Sequence, residues 1–434
     1  MHEHNIIQYT SILCAVCVAW RKAAHLTPRL WSKLCLPLKD RKPVIPELEW
    51  VKEWINRSRG LPLDLYLNFK TQSGISPAIT SQFMETILGF SHKLRLLDLE
   101  GHISFFIPLF SLPRSSLPQL EEVYLEISSF FLSNIDEHLA YLHVPRQIDT
   151  FLGAPKLRHV EFIEKDDNPI LKQFALPAEQ LTSLKLTSTI IDPSDFDPNA
   201  YIDILCRCKD LVHLRVDLGE HFEPDPVLFR KHLSISLPSL KSLDISAHRI
   251  SGNDVNLLNC LTTPHLEELT LRYDLQNLDA LTSFQHRSSP ALSSLTLIRL
   301  WPSTGQTDEN LNQTLIALLS LFPAIRSFRM QDCVFDSDKL LQALASTEGR
   351  VLLPKLTNFE FRAPHDIDDI DDVDMLPYEL VPMILARSWK DEIKVVDGLL
   401  QLQKVVLRFP HFVEEDFTKL FELPDLVVDL GTFP

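Results

Sequence analysis

Cys14 and Cys17 stand at C-x-x-C spacing, which can hold zinc or cycle as a redox disulfide when the thiolates are accessible. A zinc site needs a second pair, and Cys206 and Cys208 have only one residue between them. Cys14 and Cys17 also lie in an apolar, helix-like run, where a free cysteine packs as a small hydrophobe. His2 and His4 are further metal donors, but a terminal segment holds an ion poorly. The acidic run Asp366 to Asp374 (DIDDIDDVD) is dense enough in carboxylates to attract calcium. It lacks the mid-loop glycine and the closing glutamate of an EF-hand, so a solvated, self-repelling loop near 364–376 is expected. Glycine is scarce, with 11 in 434 residues and none closer together than Gly89 and Gly101. A phosphate-cradling loop and a G-x-S-x-G elbow both need closely spaced glycines, so neither can be written here. No H-E-x-x-H or Ser–His–Asp grouping stands out. The chain is therefore expected not to be an enzyme, with no catalytic, metal or cofactor-binding residue and no cofactor.

What remains is recognition chemistry carried on alternating segments. Asp98, Glu100, Glu122, Tyr124, Glu126 and Glu161 fall on polar positions of early segments, and cations take their place later. Lys185, Arg215, Arg272 and Arg329 are the candidate partner-binding residues, with Arg362 following the same pattern. Guanidinium groups pair bidentately with carboxylate or phosphate oxygens, so these four would receive an acidic or phosphorylated segment of a protein. The alternative is an ordinary solvated face.

The segments that position these residues recur. L-x-x-L-x-L, with apolar replacements, begins at Leu94, Leu120, Leu157, Leu181, Leu211, Leu240, Leu266 and Leu292, with weaker copies at Ile325, Leu356 and Leu402. The copies at Leu240, Leu266 and Leu292 are 26 residues apart, which is one short half-buried strand plus one return segment. Pro118, Pro155, Pro238, Pro264, Pro290, Pro323 and Pro354 each stand two residues before a copy, where proline ends a helix and releases the chain into a strand. Helical returns are expected over Asn199–Cys208, Asp308–Leu321 and Ser337–Ala345 from their 3.6-residue periodicity. Leu97, Leu99, Leu184, Leu186, Leu243, Leu269, Leu271, Leu295 and Leu297 are expected to form a buried ladder.

From about Leu61 onward these copies resemble the leucine-rich-repeat family. That resemblance implies an α/β, irregular leucine-rich-repeat solenoid with parallel concave strands and convex helices, binding partners on its concave side. The family's loop Asn or Cys is matched only by Cys333; His102, Ser128, Thr189 and His248 stand at that place in other copies.

Ahead of the repeats, Ile12 to Leu36 reads as two short helices with the tryptophans turned inward. Val16 and Trp20 are one helical turn apart, and Pro28 opens a second segment burying Leu30, Trp31 and Leu34. V-C-x-x-W-R-x-x-A-x-x-T-P-x-L-W-S-x-L, from Val16, is similar to the second half of an F-box of the kind found in mushroom-type fungi. W-x-x-x-W-I-x-R-S-x-G-L-P-L-x-L, from Trp50 to Leu65, is similar to the segment that follows it. The resemblance implies docking on a Skp-type adaptor of a cullin–RING ubiquitin ligase, with Leu13, Val16, Cys17, Trp20, Pro28, Leu30 and Trp31 on the adaptor side and the repeats selecting an unknown protein substrate. The usual opening L-P-x-E helix is missing from MHEHNIIQYTS, so either the chain starts downstream of it or adaptor binding is weak or lost. The expected organisation is an F-box-like segment at 1–40, a connecting helix at 41–60 and the solenoid at 61–434. The alternative is a non-catalytic scaffold whose N-terminal helices merely cap the repeats.

The bulk composition agrees with recognition of protein. A net charge of −16 disfavours a broad nucleic-acid surface. The apolar stretch Ile12–Trp20 is too short to span a bilayer and lacks signal-peptide flanks, so neither a membrane nor secretion is expected. Seven cysteines at irregular spacing fit a reducing cytoplasmic or nuclear setting.

Overall fold

The computed structural model describes residues 6–37, 48–69, 77–128, 145–165, 170–188, 198–217, 234–247, 257–273, 278–302, 306–346, 351–364, 376–388, 399–410 and 417–432. The chain divides into two compact units, Met1–Leu211 and Val212–Pro434. Both are α/β and solenoid-like, with parallel strands joined by return segments.

In the first unit, β1 (Lys33–Pro37), β2 (Leu63–Asn68), β3 (Leu94–His102), β4 (Glu122–Ser128), β5 (His159–Lys165) and β6 (Ser183–Ser188) pair in chain order, all parallel. In the second unit, β7 (His213–Asp217) pairs with β9 (Ser242–Ala247), with β8 (Ile235–Ser236) set apart from this sheet. The sheet continues through β11 (Glu268–Tyr273), β12 (Ser294–Ile298), β13 (Ser327–Gln331), β14 (Asn358–Arg362), β15 (Lys404–Phe409) and β16 (Val427–Thr432). β8 forms its own short parallel pair with β10 (Leu261–Thr262).

Period-two alternation and a constant register together generate the core. In the first unit, Leu34, Leu65, Leu97, Val123, Val160 and Leu184 are aligned neighbours, and so are Leu36, Leu67, Leu99, Leu125, Phe162 and Leu186. In the second unit Leu214, Leu243, Leu269, Leu295, Phe328, Phe359 and Val405 form an equivalent row. All nine ladder leucines expected from the sequence are at most 1 % exposed. The prolines act slightly differently from expectation. The first apolar residue of a copy donates its N–H to the carbonyl three residues back, for example Leu120 to Leu117 and Leu356 to Leu353. Pro118 and Pro354 thus sit second in a reverse turn, where their fixed φ is already correct.

The helices expected in the returns are present at Pro198–Arg207, Asp308–Leu321 and Asp338–Ala345. Elsewhere in the first unit several returns hold short 3-10 turns, such as Thr150–Gly153, Leu171–Gln173 and Ala178–Gln180, so the solenoid is irregular as expected. These returns are too brief to repay helix nucleation. The loop role expected of an Asn or Cys falls to Cys333, whose thiol approaches the carbonyls of Leu297 and Gln331, and its pKa is pushed up to about 12 by burial. His102 takes a related part by accepting from the Ser104 N–H.

In each unit a buried titratable side chain bonds to backbone of the return segments: Glu164, on β5, and Arg387, which follows the Leu380–Ala386 helix. Glu164 accepts the N–H groups of Ile170 and Leu171, each at 2.7 Å, and the Tyr201 hydroxyl at 2.9 Å. Burial pushes its carboxyl above the usual glutamate range despite these donors. Arg387 is fully buried and donates to the carbonyls of Leu344, Leu352 and Leu353; burial lowers its pKa to about 10. Asn312, though it begins an Asn-x-Thr sequon, is 2 % exposed and clamps two returns through Asp308, Asp336 and Leu340.

The strand ladder starts at β1, inside the segment 1–40 read as F-box-like, because Leu34 and Leu36 continue the buried rows. The helix expected within 41–60 is Leu48–Arg57. The acidic run at 366–374 lies outside the described residues.

Candidate functional site

Two surfaces of the first unit and one of the second gather the residues with recognition chemistry. The first is the N-terminal helical pair. Ile6–Val16 is helical, and a second helix runs over Val18–Leu26. A helix therefore does precede the F-box-like motif, although it lacks the L-P-x-E sequence. Cys17 separates the two in an extended conformation (φ −162°, ψ 172°), and its sulfur accepts from the Trp20 N–H at 3.5 Å. The C-x-x-C spacing thus places a helix cap at its second cysteine.

That break also corrects the expectation of inward tryptophans. Val16 and Trp20 belong to different helices, so one-turn spacing does not apply, and they are 58 % and 52 % exposed. Trp31 alone of the two motif tryptophans points inward, at 2 % exposure. Its indole N–H donates to Ala24 O at 2.8 Å, its ring meets Trp54 edge-on at 4.8 Å, and the Arg57 guanidinium lies 4.6 Å from its centroid. Trp54 in turn donates to Lys33 O, which ties the Leu48–Arg57 helix, and through the Trp31 ring contact the helical pair, to β1. Leu34 is buried, Leu13, Pro28 and Leu30 are half-buried, and Cys17 is exposed. Tyr9, Ile12, Val18 and Leu26 are exposed as well, so the two helices present apolar surface of unusual extent.

The second surface is the strand face opposite the core in the first unit. Tyr66, Asp98, Tyr124, Glu161 and Lys185 stand in one row on β2 to β6, and Asn68, Glu100, Glu126 and Ile163 in the next on β2 to β5. Between these rows lies a cavity of about 260 Å³ lined by Tyr66, Asp98, Glu100, Tyr124, Glu126 and Glu161, with Ile163 as its apolar side chain. Glu126 pairs with Lys165 and Glu161 with Lys185 at its rim. The Tyr124 hydroxyl donates to Glu122 at 2.9 Å. Burial, reinforced by Glu122, Glu161 and Asp98, holds that phenol well above the usual tyrosine range.

The third surface is the equivalent face of the second unit, which carries three of the four candidate cations. Asp244 brings Arg215 and Arg272 together: Arg272 holds it through Nε at 2.8 Å and Nη2 at 2.9 Å, and Arg215 approaches at 3.5 Å while also reaching Asp217 at 3.3 Å. Arg329 pairs with Glu360 at 2.6 Å, and Arg362 shares the same carboxylate. Lys185, in the first unit, is held by Glu161. All four cations therefore already hold carboxylates of their own chain, and an acidic ligand would have to displace them. Reasoning from the sequence missed Tyr66, because β2 was not recognised as a copy; the alternation Leu63, Leu65, Leu67 was the available signal.

Among the described residues, no group of three or more His, Cys, Asp or Glu could hold a metal ion. All seven cysteines are free thiols. No described helix is long and apolar enough to cross a membrane. Together the fold and surfaces define a parallel-strand α/β repeat protein with a cavity on one strand face and an apolar helical pair at its N-terminal side. No family model matches the chain, and a search of curated proteins gives no match.

Proposed function

We propose that this chain is a non-catalytic, protein-binding leucine-rich-repeat subunit that recruits a protein substrate to a Skp–cullin–F-box ubiquitin ligase. The observation that carries this reading is the exposure of Val16, Val18 and Trp20 on helices anchored to the repeat body through Trp31 and Trp54. A helical pair that served only as an end cap would turn its large apolar groups onto the strands beneath it. Here the Val18–Leu26 helix buries only Ala24 and leaves Trp20 in solvent, where tryptophan is costly unless a partner covers it. The F-box-like motif names that partner as a Skp-type adaptor.

The test is co-expression with a fungal Skp-type adaptor followed by gel filtration at high protein concentration. Co-elution of the wild type, abolished by Val16→Asp with Trp20→Asp while circular dichroism stays unchanged, is the expected result. A folded wild type that elutes without adaptor at every concentration would overturn the ligase reading.

A further inference from the structure

We propose that the open edge of β16 pairs antiparallel with β16 of a second copy of this chain, giving a two-fold dimer. The inference goes beyond the adaptor reading, because it concerns the second unit and needs no ligase component.

β16 (Val427–Thr432) ends its sheet and, among the described residues, pairs only with β15. The Val427 N–H donates to Gln403 O on the β15 side at 2.9 Å. Alternation along an extended strand therefore turns the N–H and carbonyl groups of Val428, Leu430 and Thr432 toward the open edge. Edges of this kind are normally blunted by lysine, proline or a bulge. Val427–Thr432 contains neither residue and keeps an unbroken register with β15. Its one charge, Asp429, is already held by Arg408 of β15 through Nη2 at 2.8 Å. The apolar rows stay open here as well. Val405 and Leu407 are buried, whereas Val428 and Leu430, next in the same rows, are only half-buried. Phe421, at the end of the short Thr418–Phe421 helix ahead of the strand, is exposed. An end repeat that leaves its core open in this way needs a cover.

The edge is complementary to itself, which is what selects a second copy as the cover. Residues opposite each other in an antiparallel pair share a face, so a two-fold axis between two identical strands must pass a residue and not a peptide bond. Centring the pairing on Asp429 would set two carboxylates directly opposite, which is destabilising. Centring it on Leu430 removes that conflict. Leu430 then meets Leu430 of the second copy, Val428 meets Thr432, and Asp429 meets Gly431. The outward N–H and carbonyl groups of Val428, Leu430 and Thr432 satisfy one another in this register. Gly431 has no side chain to stand between the charges, and Arg408 lies over it: a methyl group placed on Gly431 would stand 3.7 Å from Arg408 Nη1. Asp429 of each copy thus comes beside Arg408 of the other, and the two intrachain pairs join into one four-residue network. A strand of unrelated sequence could bond to the backbone edge but would not supply this exchange of charges.

Sedimentation velocity of the full chain across its soluble concentration range reads the association, with circular dichroism checking the fold of each variant. A monomer–dimer equilibrium is expected for the wild type. Thr432→Pro removes an outward N–H and leaves the β15 side of the strand untouched, so it should weaken the dimer about tenfold or more. Asp429→Arg sets arginine against arginine across the axis and should also weaken it. Adding Arg408→Asp to Asp429→Arg should restore the dimer, a result that does not depend on the proline variant folding. The register is read by cross-linking with copper–phenanthroline, against the wild type as a control for its native thiols. Leu430→Cys is expected to give a covalent dimer, because the Cα atoms of a hydrogen-bonded pair lie about 5.5 Å apart, within disulfide reach. Asp429→Cys, which has no counterpart opposite it, is expected not to. A wild type that stays monomeric at every concentration would overturn the inference and leave the edge to a strand of another protein. A dimer left unchanged by a folded Thr432→Pro, or cross-linking through Asp429→Cys in place of Leu430→Cys, would overturn it as well.

Discussion

The strand faces of the two units are built on the same backbone pattern and arrange their charges differently. In the second unit Asp244 lies directly opposite Arg215 and diagonal to Arg272, and Glu360 lies opposite Arg329. In the first unit the corresponding rows place carboxylate beside tyrosine and carboxylate beside carboxylate: Asp98 next to Tyr124, and Glu100 next to Glu126. Like charges on neighbouring strands are destabilising and neutralised pairs are not. The contrast is one of degree, since the first unit also sets Lys185 opposite Glu161 and the second sets Arg408 opposite Arg362. A cation on a polar strand position is thus not in itself a binding residue; its neighbour across the register decides.

The comparison holds only if the inward faces are equivalent, and the largest expected effects test that. Leu125→Ala in the first unit and Leu269→Ala in the second each remove a buried side chain between aligned apolar neighbours. Each should cost about 2–5 kcal/mol in urea unfolding. A cost near zero for either would mean that its unit lacks the packed ladder described above.

The buried charges give the next effects. Arg387→Ala removes the guanidinium bonds to the carbonyls of Leu344, Leu352 and Leu353, and Glu164→Ala removes the acceptor of two N–H groups and the Tyr201 hydroxyl. Each should lower stability by at least about 2 kcal/mol, the cost of stranding buried polar groups. Glu164 adds a pH dependence. Its folded value is raised, so the stability it contributes is fully present below the unfolded value of about 4.3 and is lost as pH rises through the folded value. Against the always-neutral Glu164→Gln, the wild type should therefore lose relative stability as pH is raised above about 4.3. A difference that grows with pH would show that burial does not raise the folded value of Glu164.

Smallest in stability, and sharpest for the comparison, is Asp244→Asn. The pairs it breaks are part-exposed, so the change should cost only about 0–1 kcal/mol. It should nevertheless create salt-sensitive binding of a glutamate peptide by releasing Arg272 and loosening Arg215. If anisotropy detects no such binding in the variant, the cations are not masked by Asp244.

The fold was legible to the extent that alternation and register are properties of sequence. The L-x-x-L-x-L copies and their prolines locate β3 to β7, β9 and β11 to β15. Period-two leucines can bury only one face, and proline at the second place of a turn brings the chain into each strand. β1 escaped because Leu34, Cys35 and Leu36 sit inside an F-box-like motif and read as helix. The N-terminal helices were read with the wrong face because a single extended residue, Cys17, resets the helical phase between Val16 and Trp20. The charged positions were all visible, but their pairing was not. Several of these pairings depend on strand neighbours far apart in the chain, as with Lys185 and Glu161, which are 24 residues apart.

Hydrogen–deuterium exchange of the full chain, with and without a Skp-type adaptor, most directly tests whether the N-terminal helical pair is the recognition surface and the second unit's strand face is self-satisfied. Slowed exchange is predicted over Ile6–Val16 and Val18–Leu26, with no change over Glu268–Tyr273 and Ser327–Gln331. Protection centred on those last two strands, with the two helices unaffected, would contradict the account.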